Sequence, residues 1–460
     1  MRRPTQSSSR RRRAFSASGS SGMNCLSRAR PPPPTRRPPG RGSIPTMADV
    51  IIVGAGLSGL NCAALLVEQG LDVEVLEASD GVGGRVRTDV VDGFLLDRGF
   101  QVLFDGYPEA QRALDLEALD LRAFLPGADI FWDGRMRTIA HPLRDPLAVP
   151  DALRAGIGGP ADVKAAAQWL LGARPLSSAT RPDTTADERL RDLGFSEAVR
   201  ERLLRPLFAG VFLDRDLGVS SRLLDQCFSQ MASGRTVVPA RGMGAIAEQL
   251  AARLPAGAVR LGERVEKAGT RNVTLASGTK AKARLAVVIA GGAHDAALLA
   301  DTPEPAPRSS TCLWFDAPEA PAGRRIVLDG DGTGPVNNVA VMSAVAPSYA
   351  PPGRAAIAAS CVGLPFGGDD AALESAARAQ LARWFGGRVD AWRLLRVDRI
   401  EWAQHAQPPG GLGSGPRWLK DGLLLAGDGT ENASIDGALR AGRRAADLIA
   451  AAALTARTAV

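Results

Sequence analysis

The stretch from Asp49 to Glu77 restricts this sequence more than any other. Asp49 to Val53 is a short apolar run, Gly54-Ala55-Gly56-Leu57-Ser58-Gly59 follows, and Leu57 to Gln69 is rich in Ala and Leu before Gly70. That order predicts a strand, a tight turn and a helix. Leu71 to Leu76 then predicts a second strand with Glu77 at its tip, which completes a βαβ unit of the kind that holds a dinucleotide. Each position has a physical task. Gly54 makes the turn, Gly56 lets the backbone approach a pyrophosphate, and Gly59 lets the helix pack close to its strand. Ala55 and Ser58 complete a loop that leads into a helix N-terminus facing the phosphates. Glu77 is expected to accept hydrogen bonds from both ribose hydroxyls of an adenosine.

This unit serves NAD and FAD alike, and the choice comes from the residues that follow. Glu77-Ala-Ser-Asp-Gly-Val-Gly83-Gly84-Arg85-Val-Arg-Thr88 resembles the FAD-dependent amine oxidase superfamily, which includes flavin-containing amine oxidases, phytoene desaturases and protoporphyrinogen oxidases. NAD dehydrogenases lack this extension. The resemblance implies that Gly83, Gly84 and Arg85 run beside the pyrophosphate and the flavin, and an arginine suits a diphosphate. Near the other end, Leu423-Leu-Leu-Ala-Gly427-Asp428 and Ser434-Ile435-Asp436-Gly437-Ala438 resemble the closing motif of the same superfamily. There Gly427, Asp428, Ile435 and Ala438 are implied to hold the ribityl and pyrophosphate portion of FAD, with Asp428 bonding a ribityl hydroxyl. Between them, Val238-Pro-Ala-Arg-Gly242-Met243-Gly244, Val259 to Val265, Val273-Thr-Leu and Ala286 to Ala290 resemble the middle segment, in which the backbone of Val265 is implied to contact the adenine. Phe94 to Gln101 sits where the family lines the flavin face.

The resemblance implies an α/β fold in which a Rossmann-like FAD-binding domain (GR2-type, parallel sheet) is interleaved with an α+β substrate domain. On that reading residues 47–104, 236–305 and 411–460 form the FAD-binding domain. Residues 105–235, mostly helical, and 306–410 form the substrate domain. At 460 residues the chain exceeds the size at which one core keeps growing, which agrees with two packed domains.

Residues 1–46 stand apart. They hold 11 Arg and no Asp or Glu, leaving the remainder with 45 basic and 49 acidic residues, so the net charge of +7 belongs to this stretch and the body is mildly acidic. A nucleic-acid partner is not expected of such a body. The Arg-, Ser- and Pro-rich composition without an apolar core fits an organellar leader, plastid-type in character, and equally fits an upstream start on a chain translated from Met47. The first reading places the protein in a plastid or other organelle, the second in the cytoplasm. No apolar run is long enough to span a bilayer, while peripheral contact with a membrane stays open. Cys25, Cys62, Cys227, Cys312 and Cys361, with His141, His294 and His405, show no metal-ligand spacing, so no metal is expected. Cys62 reads as a buried small hydrophobe of the first helix.

A flavin accepts a hydride at its own ring, so the protein need only place a C–H bond and exclude water. The sequence offers no Ser-His-Asp or paired-carboxylate pattern, and no catalytic residue is assigned. The lysine that amine oxidases keep near the flavin aligns with Thr311, ahead of Cys312-Leu-Trp314-Phe315. The aromatic residue before the closing helix aligns with Ser434, and a tyrosine sandwich would have to recruit both tyrosines of the chain, Tyr107 and Tyr349. With no cysteine beyond Cys361, FAD is expected to be non-covalent. The expected function is an FAD-dependent oxidoreductase of desaturase or oxidase type acting on C–H bonds of a small organic substrate, isoprenoid or polyene-like. An amine oxidase proper is the alternative within the class. From another class comes a flavin-free binding protein like the Rab GDP-dissociation inhibitors, whose cofactor motifs are degraded where those of this chain are intact.

Overall fold

The computed structural model describes residues 47–139, 156–172 and 181–458. The leader, Cys25 and His141 lie outside them.

The predicted βαβ unit forms within a residue or two of its expected bounds. Strand β1 (Val50–Val53) enters the turn, helix α1 (Leu57–Glu68) leaves it, and strand β2 (Val73–Glu77) pairs with β1 in parallel. Around them grows a six-stranded sheet drawn from the whole length of the chain. Its order is Val259–Leu261, β2, β1, Ala286–Ile289, Leu423–Leu425 and Arg417–Lys420. Five strands are parallel, and the edge strand Arg417–Lys420 runs antiparallel, a common addition to an otherwise parallel sheet.

The alternation of strand side chains places Val50 and Ile52 on one face and Ile51 and Val53 on the other, all buried. The first face packs on α1 and the closing helix Ile435–Thr458 within the main core. The second is covered by a three-stranded meander, Val265–Gly269, Asn272–Leu275 and Lys280–Lys282. Fully burying one such aliphatic side chain contributes about 1.5–3 kcal/mol. The resemblance took Val259 to Val265 as a single stretch. The chain instead turns at Gly262, φ +73°, so that Leu261 ends in the parallel sheet and Val265 begins the meander.

A second sheet has seven strands, ordered Arg393–His405, Pro307–Ala317, Ala355–Val362, Asn338–Val341, Ile326–Asp329, Ala128–Trp132 and Arg135–Ile139. The last two come from a block read as mostly helical; Leu121–Ala123 is also a strand there. One face of this sheet buries Leu313, Phe315 and Ile357 under the helix Asp370–Phe385. The other turns toward the helix Arg205–Phe212. No helix among the described residues is long and apolar enough to cross a membrane.

Candidate active site

A cavity of about 1650 Å³ runs from the β1–α1 turn into the space beneath the seven-stranded sheet. At its first end Gly54, Gly56, Ser58, Glu77, Gly83, Gly84, Arg85 and Val265 line the wall, and Asp428, Ile435 and Ala438 line it from the closing segment. Ala55, Gly59 and Gly427 do not reach the cavity. They frame it. A Cβ on Gly59 would collide with the carbonyl oxygen of Gly54, and one on Gly427 would sit 2.6 Å from that of Gly291. Ala55 donates its N–H to Glu77 Oε2 at 2.7 Å and accepts from Gly83 N–H at 2.8 Å, which fastens the second glycine turn to the first.

The first end suits a diphosphate. The Ser58 hydroxyl is buried in the first turn of α1 and has no partner among the described residues. No side chain caps that helix, so its first N–H groups are left for a ligand. A Cβ on Gly56 would meet no atom within 4 Å, so the open side of the turn belongs to the cleft.

Glu77 is more committed than expected. Oε1 accepts from the Ser79 N–H at 2.8 Å and lies 2.7 Å from the Ser79 hydroxyl, which also lies 2.9 Å from the Gly81 carbonyl oxygen. With Ala55 on Oε2, two of about four lone pairs stay free when Ser79 turns to Gly81, and one when it does not.

Arg85 and Asp428, assigned separately to diphosphate and ribityl, meet each other although 343 residues apart. Arg85 Nη2 lies 2.5 Å from Asp428 Oδ2, and Nη1 donates to the Ala403 carbonyl at 2.8 Å. Burial alone would push the Asp428 carboxyl up, but the charges of Arg85 and His405 and the hydrogen bond from Arg85 outweigh it and hold it below its usual range. Burial, aided by Arg85 and opposed by Asp428, lowers the His405 imidazole. Gln101 lines the cavity, and its Nε2 donates to the carbonyls of Arg85 and Arg98 at 2.8 and 2.9 Å, so it braces the arginine turn.

The far end is apolar, with Leu203, Leu207, Phe208, Phe228 and Met231 among its walls, and no lysine or histidine lines the cavity among the described residues. Thr311 is not the residue that faces it. Strand alternation puts Thr311 on the far side, where its hydroxyl donates to the Gly363 carbonyl at 2.8 Å, and Ser310 lines the cavity instead. Tyr107 lines it too, but Tyr349 is fully buried and donates to Asp97 Oδ2 at 2.8 Å, so the two tyrosines do not pair. Ser434 lines the cavity without an aromatic ring. Gln404 and Gln407, which no sequence pattern marked, line the seam between the two ends.

Fold and cavity together define a dinucleotide-binding α/β protein with an attached apolar chamber. The chain belongs to the flavin containing amine oxidoreductase family, whose model matches residues 57–450. It is 31% identical over 172 residues to the chloroplastic protoporphyrinogen oxidase of Nicotiana tabacum, a match covering 36% of this chain and 29% of that protein. The chain thus spans about a third of the length of the curated chloroplastic relatives it matches. It is 29% identical to hydroxysqualene dehydroxylase of Rhodopseudomonas palustris, over 88% of this chain and 98% of that one. Its fold is similar to that of an oxidoreductase from Methanosarcina mazei, with a TM-score of 0.67 and 19% identity over 86% of this chain and 99% of the other.

Proposed function

We propose that this chain is an FAD-dependent oxidoreductase that removes a hydride from a C–H bond of a small, largely apolar substrate, with FAD held non-covalently. The observation that carries the reading is the continuity of one cavity from the Gly56 turn to the apolar chamber. Flavin, when bound, supplies the two-electron acceptor. Ser58 and the N-terminus of α1 would hold the pyrophosphate, Glu77 a ribose hydroxyl and Val265 the adenine. Gly83, Gly84 and the Arg85–Asp428 pair would flank the ribityl chain, and Ile435 and Ala438 would meet it from the closing helix. In this reading the interleaved domain division is kept, the six-stranded sheet being assigned to the cofactor and the seven-stranded sheet to the substrate.

The chamber's own work is to bind and orient an apolar molecule and to keep water out. With no lysine or histidine in the lining among the described residues, no side chain there is assigned a proton transfer. Cys227 is the one cysteine in the lining among the described residues, and burial pushes its thiol up to about 12, which suits packing rather than attachment to a cofactor. The unpaired tyrosines and Ser434 favour an isoprenoid-like substrate over an amine. The similarity to hydroxysqualene dehydroxylase over nearly the whole chain agrees.

The test is a visible spectrum of the purified full chain before and after acid precipitation. A flavin spectrum that leaves with the supernatant supports the reading. A folded, colourless protein that refuses added FAD overturns it and favours a flavin-free binding protein.

A further inference from the structure

Resting on the flavoenzyme reading above, we propose that Gln407 orients the substrate, its carboxamide nitrogen donating a hydrogen bond to a neutral acceptor oxygen on an otherwise apolar molecule. Gln407 follows the long strand Arg393–His405, is 5% exposed and lines the cavity. Two bonds pin it. Its carbonyl accepts from the Ser220 N–H at 2.8 Å, and Oε1 accepts from the Ala433 N–H at 3.0 Å. The second bond fixes the amide orientation, because only the oxygen can accept from a backbone N–H. Nε2 therefore points away from Ala433, and it finds no acceptor among the described residues. The nitrogen keeps access to the cavity, and a hydrogen bond to a ligand acceptor there would be worth about a factor of 5 to 10 in affinity.

Place and charge say what that acceptor is. Ala433, Ser434 and Ile435 also line the cavity, so Gln407 stands where the closing segment assigned to the flavin meets the chamber. The acids in the lining are Glu77, Glu263, Glu266, Asp295 and Asp428, all on segments of the six-stranded sheet, its meander or the loops and helix that leave them. Among the described residues the chamber presents no carboxylate to an ammonium group. Arg98 and Arg235 are paired with Asp89 and Asp105, and Arg324 is exposed, which leaves no buried cation waiting for an anion in the chamber among the described residues. A donor without charge, in apolar walls, selects an uncharged oxygen, and a site built to make such a bond discriminates against the analogue that lacks it.

The test titrates the FAD-loaded full chain with three molecules that share one chain: the ketone geranylacetone, the hydrocarbon in which a methylene replaces its carbonyl, and the corresponding primary amine. Binding is read from the perturbation of the flavin spectrum. In the wild type the ketone is expected to bind about 5- to 10-fold more tightly than the hydrocarbon, and the amine no more tightly than the hydrocarbon. Gln407→Glu keeps the bond to Ala433 and exchanges the donor for a carboxylate, so the ketone preference should vanish and the amine should become the tightest of the three. A merely structural role would weaken all three together. The proposal is overturned if the wild type binds ketone and hydrocarbon alike, if it shows no measurable ketone binding, or if Gln407→Glu shifts the three in parallel. Should that variant fail to fold, the wild-type ratio decides alone. Failure of the wild type to take up FAD refutes the underlying reading instead.

Discussion

Replacing Ser58 by Ala should move the FAD-free and FAD-loaded proteins in opposite directions. The residue is 3% exposed and its hydroxyl meets no protein partner. An unsatisfied buried hydroxyl costs about 1–3 kcal/mol, and alanine is the better residue in the first turn of α1. Against this stands a small loss of packing, so the FAD-free variant should gain about 1 kcal/mol. A chain of this size then melts about 1–2 °C higher. On the proposed reading the same hydroxyl would face the diphosphate of bound FAD, and a hydrogen bond to a charged group contributes about 1.5–3 kcal/mol. Its loss should raise the FAD Kd roughly tenfold to a hundredfold. Thermal melts of both forms and an FAD titration followed by flavin fluorescence read the two effects separately. An FAD-free variant that melts lower than wild type, or an unchanged Kd, would refute the argument that this hydroxyl is kept for the cofactor.

Burial pushes Asp97 up to about 6 despite hydrogen bonds from Thr88, Met243 and Tyr349. Because its folded pKa lies above the unfolded one, the associated stability is full below about pH 4 and is lost as pH rises through 6. Asp97→Asn should abolish that slope and gain on wild type by up to about 3 kcal/mol between pH 4 and 7; denaturant midpoints with equal pH slopes would sink the idea. Gly442 lets the closing helix touch α1, since a Cβ there would collide with the Ser58 carbonyl oxygen. Gly442→Ala should cost about 1–3 kcal/mol and lower the FAD content of the purified protein, and an unaltered melting point would contradict it. Cys62, Cys227, Cys312 and Cys361 are all buried, and burial pushes Cys62, Cys227 and Cys361 up to about 12. A thiol reagent at about pH 8 should therefore leave these four unlabelled until denaturant is added, as peptide mapping would show.

The βαβ unit was legible because its geometry is written locally: the turn, the helix and the acid at the strand tip lie within one short stretch, and spacing encodes them. The Arg85–Asp428 pair was not, because each residue was matched to a ligand and nothing in the linear record joins positions 343 apart. Thr311 shows a finer limit. An alignment that is off by one position in a strand reverses the face, so the residue turned to the cavity is Ser310. Gly262 divides a stretch that was taken whole, since a single glycine with positive φ can turn the chain between two short strands without a long loop to separate them. Gln407 carried no signal at all. Its role depends on which amide atom Ala433 claims, and that is decided only by the folded chain.

The contact between α1 and the closing helix also sets a schedule for biosynthesis. Asn61 Nδ2 bonds the Leu439 carbonyl at 2.8 Å, and the Gly442 backbone lies against Ser58. The ribosome makes the β1–α1 turn well before its supporting helix, and Asp428 emerges 343 residues after Arg85. Until then the turn has half its walls, and Arg85 lacks its carboxylate. On the proposed reading flavin capture thus waits for the closing segment, and a chain cut short before Ile435 would be left without the means to retain it.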